Sequence, residues 1–451
     1  MSSSPHDQGT NLLFSLHSIC VFIICALTYA LVSFHRGAPA ILSKEISEEF
    51  NVTPSAITPF STMYYWTYAS MQPFSGMLAD VYDPSYLIGG ASIVAGIGSA
   101  IIGGSKSLSV AIIGRFIVGF GTGPTGIPIL KIVTRWYPEE HFAILNGIMG
   151  ACGGAGSILA QAPLRSFAQI HSWRSSFFIV TACGIVFGLF TMLIVKKDPS
   201  LFGYKTVVKT PIKKNEGELI GSRLSQLWSN LNIVITRPIF WFFSMLSFIM
   251  GGCQYSVIGL WGGPYVRDMF PGSNEGKMLT SISIAIIFGS VAIPCLSNYL
   301  KTRKWVIFGC AMSGFGVSLL FFFFDQKMSY WTMYILFFIY GIATGSFPSI
   351  KGAFITELCE PQFVATMQGC VNFFNYLGGA SFQSITGYFL GKYQSENNIY
   401  PHEGYRYSLW LVMVISLFMT LIPLMFIHDV NKMSDSSCHE ESSNEKAQEK
   451  L

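Results

Sequence analysis

Gly119-Phe120-Gly121-Thr122-Gly123 and Gly341-Ile342-Ala343-Thr344-Gly345 are two versions of one segment, and each is followed by Pro-x-x-Lys, ending at Lys131 and Lys351. Outward from this pair, Phe142, Ala143 and Asn146-Gly147 resemble Phe363, Ala365 and Gln368-Gly369, and Gln161 falls opposite Gln383. Matches that keep their order at one offset of roughly 220 residues mark a chain built from two like halves. Twelve mostly apolar runs of about 20 residues, the length that crosses a bilayer as a helix, fall six to each half. Their cores are 12–34, 56–79, 86–104, 109–130, 141–164 and 174–195, then 238–263, 278–298, 304–324, 331–354, 363–391 and 407–428. The fold class read from this is an all-α membrane protein, with twelve transmembrane helices in two six-helix pseudo-repeat bundles.

Composition agrees. Of 451 residues 51% are apolar and 12% charged, about half the charge of an ordinary soluble domain; the mean hydropathy is +0.47. These values exclude a cytosolic enzyme, a disordered chain and a nucleic-acid binder, whose basic face needs charge to spare. Ten cysteines on so long a chain are no disulfide framework. Cys20, Cys25, Cys183, Cys310 and Cys370 lie in apolar runs, where Cys acts as a small hydrophobe. No Cys or His cluster has metal-ligand spacing, so neither a metal nor a cofactor is expected.

The boundaries expected are a tail over 1–11, a first bundle over 12–195, a polar central loop over 196–237, a second bundle over 238–428 and a second tail over 429–451. The first run follows a tail without Lys or Arg and lacks a cleavage site, so it is read as a retained helix. With both termini on one side, the loops of that side carry sixteen Lys/Arg against ten opposite, eight of the sixteen in the central loop. Positive residues favour the cytoplasm, which puts both termini and the central loop there. Neither that loop nor the second tail is expected to fold by itself. Asn51-Val-Thr53 forms a glycosylation acceptor triplet in the first loop opposite.

The membrane part resembles the major facilitator superfamily. Gly76-Met-Leu-Ala-Asp80 is similar to the family's helix 2–3 signature, in which the Gly lets helices approach closely and the Asp caps and pairs at the cytoplasmic gate; here Val81-Tyr-Asp-Pro84 follows in place of a Gly and basic residues. Arg115-Phe-Ile-Val-Gly119-Phe-Gly-Thr-Gly123 resembles the helix-four motif tied to gating or proton coupling, and Gly147, Gly150, Gly153, Gly154 and Gly156 resemble the small-residue run of helix five. Ala162-Pro163-Leu164 and Trp173-Arg174-x-x-Phe177 look like the sugar-phosphate and organic-anion permease branch. The resemblance implies two bundles rocking about a substrate site near the bilayer midplane.

Arg36 is the first polar group to explain. The apolar pattern of the first helix continues past it through Ala38, Ala40, Ile41 and Leu42, and a central Arg costs about 2.5–3.5 kcal/mol on insertion scales. Either it faces the cavity as an anion-binding cation or it snorkels to the outer interface beside His35. Organophosphate antiporters carry a helix-one Arg at nearly the same distance from the helix-two Asp, here 44 residues. They place a second Arg in helix seven, where a repeat offset near 218 puts Gln254 and then Tyr255. One Arg plus a Gln suits a carboxylate, a zwitterion or a small peptide at least as well as a phosphate.

Lys351 lies deeper in its run than Lys131, which reads as a snorkelling end residue. Tyr64, Tyr68 and Gln72 step by four along helix two and share a face, for substrate or for interfacial anchoring. Asn372, Asn375 and Gln383 on helix eleven, with Gln161, are expensive to bury idle, and either substrate or helix–helix hydrogen bonds explain them. No Asp or Glu falls at a predicted membrane centre, so facilitated diffusion or exchange stands beside proton symport, with a proton or counter-anion as possible coupling partner.

The reading that follows is a monomeric transporter of a small polar organic solute, anionic or zwitterionic, with the bilayer as its other partner. Arg36, Tyr64, Tyr68, Gln72, Gln254, Tyr255, Lys351, Asn372 and Asn375 are the candidate binding residues; Gly76, Asp80, Arg115, Gly119 and Gly123 are the gating ones. A lysosomal-type dipeptide or amino-acid uniporter and a non-transporting solute receptor are the alternatives. The eight scattered histidines offer no catalytic constellation.

Overall fold

The structure, a computed structural model, describes residues 5–202, 220–393 and 399–426. In chain order the long helices are α1 (Pro5–Phe50), α2 (Thr58–Val81), α3 (Pro84–Gly104), α4 in two pieces (Leu108–Thr122 and Gly126–Trp136), α5 in two pieces (Glu139–Leu159 and Ala162–Ile170) and α6 (Trp173–Ile194). The second half continues with α7 (Pro238–Ser256 and Gly262–Met269), α8 (Glu275–Tyr299), α9 (Lys304–Phe324), α10 (Tyr330–Gly345 and Phe347–Leu358), α11 (Pro361–Leu390) and α12 (His402–Tyr405 through Leu411–Phe426). Single π-helical turns, Val257–Trp261 and Arg406–Trp410, interrupt α7 and α12. Every predicted run coincides with one of these helices.

Local chemistry sets several helix starts. Asp83, Ser107, Ser172, Asn274 and Ser329 each accept a backbone N–H of the helix that follows, at the first turn of α3, α4, α6, α8 and α10. Such caps satisfy donors that have no partner inside the helix. Nine helices among the described residues are long and apolar enough to cross a membrane by length and composition. The other three, α2, α5 and α11, are of comparable length, and they are helices through which the halves meet.

The packing repeats in both halves. α1 lies against α5, α2 against α4 and α3 against α6; in the second half α7 lies against α11, α8 against α10 and α9 against α12. Between the halves, α2 packs on α11 and α5 on α8. Each contact has its partner under the same exchange of halves, as a parallel repeat requires. The central loop contains a helix, Ile220–Thr236, whose Leu231 and Val234 pack against the hydrophobic core.

Close approach has particular causes. α4 runs against α2 because Gly119 and Gly123 have no side chain: an added Cβ would come 2.5 Å from the Tyr64 carbonyl oxygen at Gly119 and 2.6 Å from Met71 Cβ at Gly123. Backbone cannot yield as a side chain does. Gly119→Ala is therefore expected to cost about 1–3 kcal/mol, read as a lowered melting temperature of the purified protein, whereas Gly76→Ala should cost little. An added Cβ at Gly76 meets nothing within 4 Å, so the tight helix contact implied by the motif resemblance is not made there.

Candidate functional site

α1 carries Arg36 to the place where α2, α7 and α11 converge. Its Nη2 donates to the Tyr68 hydroxyl at 3.1 Å. The guanidinium carbon lies 5.0 Å from the centroid of the Tyr68 ring and 5.3 Å from that of Tyr376. Among the described residues no carboxylate pairs with it, and its buried Nε has no partner. The Arg36 side chain therefore faces aromatic groups from both halves rather than snorkelling.

The aromatic groups close on themselves. Ring centroids are 4.4 Å apart for Tyr68 and Tyr376, 5.4 Å for Tyr376 and Tyr255, 5.2 Å for Tyr255 and Tyr65, 5.3 Å for Tyr65 and Tyr64, and 5.6 Å for Tyr64 and Tyr68. Five tyrosines from three helices thus form a ring of contacts beside one cation. The Tyr68 hydroxyl accepts from Arg36. Tyr65 donates to the Arg36 carbonyl at 3.4 Å, which fixes α1 against α2 at this level.

Arg115 stands behind this group. It is fully buried, donates to the His35 carbonyl at 2.8 Å and lies 4.6 Å from the Phe60 ring. That bond ties α4 to α1 one residue before Arg36. Gln72 also points elsewhere: its Nε2 donates to the Gly123 carbonyl at 3.0 Å, between the two pieces of α4. Lys131 donates to the Ala79 carbonyl at 2.7 Å at the end of α2. Asp80 lies in the last turn of α2, and its side chain falls outside the described residues.

In the second half, Lys351 donates to Asn372 Oδ1 at 2.8 Å, and Asn375 is buried against Gly251 with its Oδ1 unpartnered. Gln254 is buried next to Tyr255 but is not the counterpart of Arg36. Gln161 approaches Gly37 as Gln383 approaches Gly259, and both members of the second pair stand 222 residues after the first. In that register Ile258, not Gln254, stands opposite Arg36. The π-helical turn Val257–Trp261 lies at this level and shifts the phase that a uniform helix would keep. Tyr376 was not singled out in the sequence, nor was Tyr65 chosen from its aromatic stripe. Their one signal is adjacency to polar positions, Asn375 for Tyr376 and Tyr64 for Tyr65.

The far end of the helices, opposite the central loop, is closed over this site. Arg165 of α5 pairs with Glu45 of α1 and, at 3.1 Å, with Glu275 of α8. Ser61 donates to the Gly259 carbonyl at 3.5 Å and the Ser55 N–H to the Tyr400 hydroxyl at 3.2 Å. α1 touches α7 where Gly263 meets the Ala40 carbonyl, and Trp261 Nε1 donates to the Gln383 carbonyl at 3.1 Å.

A model of the Major Facilitator Superfamily matches residues 23–303 and 276–445. A probable sulfoacetate transporter, SauU of Cupriavidus necator, is 22% identical over 39% of this chain and 41% of its own length. A probable hexose phosphate transport protein of Chlamydia trachomatis is 20% identical over 89% of this chain and 90% of its own. Over several curated relatives, SauU among them, the chain spans less than half of the relative's length. The crystal structure of a bacterial homologue of the human lysosomal transporter Spinster, inward-facing and unoccupied, superposes with a TM-score of 0.70 at 17% identity, covering 94% of this chain and 96% of that one.

Proposed function

The chain belongs to the major facilitator superfamily, and we propose that it moves a small organic anion across the membrane by alternating access. The observation that carries this reading is Arg36: a cation at membrane depth, without a carboxylate, beside five tyrosines contributed by both halves. An unpaired charge is costly to hold away from water, and an anion entering from solvent offsets that cost. A zwitterion fits less well, because its ammonium would find tyrosine faces but no carboxylate among the described residues of the site. The names of the two relatives, for sulfoacetate and hexose phosphate, both denote anions.

The moving units of this proposal are residues 12–195 and 238–428, linked by the central loop, in a monomer. In this proposal the termini lie on the cytoplasmic side, and the far end closed over Arg36 faces away from the cytoplasm. No carboxylate reaches the site among the described residues, which favours exchange or facilitated diffusion over proton symport.

Purified protein in liposomes tests the reading with sulfonates, hexose phosphates, hexuronates, dicarboxylates and dipeptides. A saturating anion at about 100 times its dissociation constant should stabilise the protein by about 2.7 kcal/mol and should exchange across the bilayer with its labelled form. Response to dipeptides alone overturns the anion assignment. Binding without flux replaces transport by solute reception.

A further inference from the structure

Lys351 is a further buried cation that no carboxylate pairs with among the described residues. It lies on the α10 piece Phe347–Leu358, is 2% exposed, and uses its amino group on Asn372 Oδ1 and, at 5.9 Å, the Phe347 ring. No ion pair joins it to a carboxylate among the described residues. An ammonium has three donors, and a single amide oxygen leaves it under-coordinated. Lys131, its counterpart in the duplicated segment, makes an ordinary helix-end bond to a backbone carbonyl. The two halves therefore diverge at this position, and only the second buries the charge.

Position connects Lys351 to the site already described. Its partner Asn372 stands four residues before Tyr376 on α11, one turn or about 6 Å along the axis and on the same face. Tyr376 is the residue whose ring lies against Arg36. Asn372, Tyr376 and Arg36 all stay partly accessible, whereas Val371 and Asn375 beside them are buried. One accessible stripe of α11 thus has a cation of the first half near its upper end and a cation of the second half at its lower end.

We propose that Lys351 and Asn372 form a second anion subsite, and that the solute carries two acidic groups separated by about one helical turn, one held by Arg36 and the other by Lys351. The inference rests on the anion reading of Arg36 given above. A single acidic group fills one pole and leaves the other buried and unmatched. A two-headed anion fills both and links the halves, so its occupancy is felt by both moving units.

Matched probes decide it: adipate and glutarate, each against its monoamide, and 6-phosphogluconate against gluconate, by thermal shift and competition binding on the native chain and variants. The native protein should bind the doubly charged member of a pair at least tenfold more tightly than the singly charged one. Lys351→Gln should bring that ratio near one, and Lys351→Arg should keep most of it. Asn372→Asp, which hands Lys351 an internal carboxylate, should abolish the preference as Lys351→Gln does and stands in if that variant does not fold. Equal affinity for both members in the native chain, or a ratio insensitive to Lys351→Gln and Asn372→Asp, overturns the second pole. In that case singly charged anions that still require Arg36 leave the first reading standing; binding of no anion by the native chain ends both.

Discussion

Replacing Arg36 with Gln is expected to weaken binding of a transported anion by about 2–5 kcal/mol, the range for truncating one partner of a buried charged contact, which is roughly 30-fold or more in dissociation constant. The unliganded variant should be as stable as the native chain or more so. In the native chain the guanidinium is held at depth by one hydroxyl and two ring faces, so its removal relieves a desolvation cost and breaks no ion pair. Arg36→Lys should restore only part of the affinity, since an ammonium cannot present the planar fork. The measurement is a melting temperature with and without the best anion, alongside exchange in liposomes. Loss of stability together with unchanged anion binding would make Arg36 a structural cation.

The second large effect belongs to the far end. Arg165 lies between Glu45 of its own half and Glu275 of the other, with side-chain exposures of 11%, 20% and 5%. Without the arginine, two poorly hydrated carboxylates are left facing each other, and breaking a buried pair in this way costs about 3–5 kcal/mol. Separation of the halves rehydrates both carboxylates, so Arg165→Ala should move the population toward a state open at the far end. Ser61, buried at the α2–α7 contact there, supplies the reporter. In a Ser61→Cys background with Cys20 and Cys295 changed to Ser, a membrane-impermeant maleimide should react at least tenfold faster when Arg165→Ala is present. Adding Glu45→Gln and Glu275→Gln should restore slow labelling. Unchanged labelling in Arg165→Ala would mean that the closure rests on the α1–α7 and α2–α11 contacts instead.

Arg36 was legible because a cation inside an apolar run needs a reason wherever it points. The glycines of the helix-four segment were legible for a similar reason, and at Gly119 and Gly123 they do permit close approach. Gly76 carries an equally recognisable pattern and makes no such contact, since the approach depends on which helix lies opposite. Gln72 shares a helical face with Tyr64 and Tyr68 by spacing, yet it is spent on the joint of α4, where it donates to the Gly123 carbonyl. Lys131 and Lys351 end the same repeated motif and part company in the structure. One finds a helix end, the other finds Asn372.

The amino-acid sequence alone determined the order of the long apolar helices, their division into two like halves and the presence of a charge that the bilayer would otherwise reject. These follow from local terms: apolar transfer over about 20 residues, the obligation of backbone groups in lipid to pair within their own segment, and caps a few residues apart. Only the tertiary structure decided that Tyr64, Tyr65, Tyr68, Tyr255 and Tyr376 meet around Arg36, that Ile258 rather than Gln254 stands in register with it, and that Arg165 bridges Glu45 and Glu275. Those contacts join residues up to 340 positions apart, as Arg36 and Tyr376 are. Ring stacking and ion pairing act over a few ångströms, so they are fixed by which helix faces pack together, a property of the assembled bundles that no single helix carries.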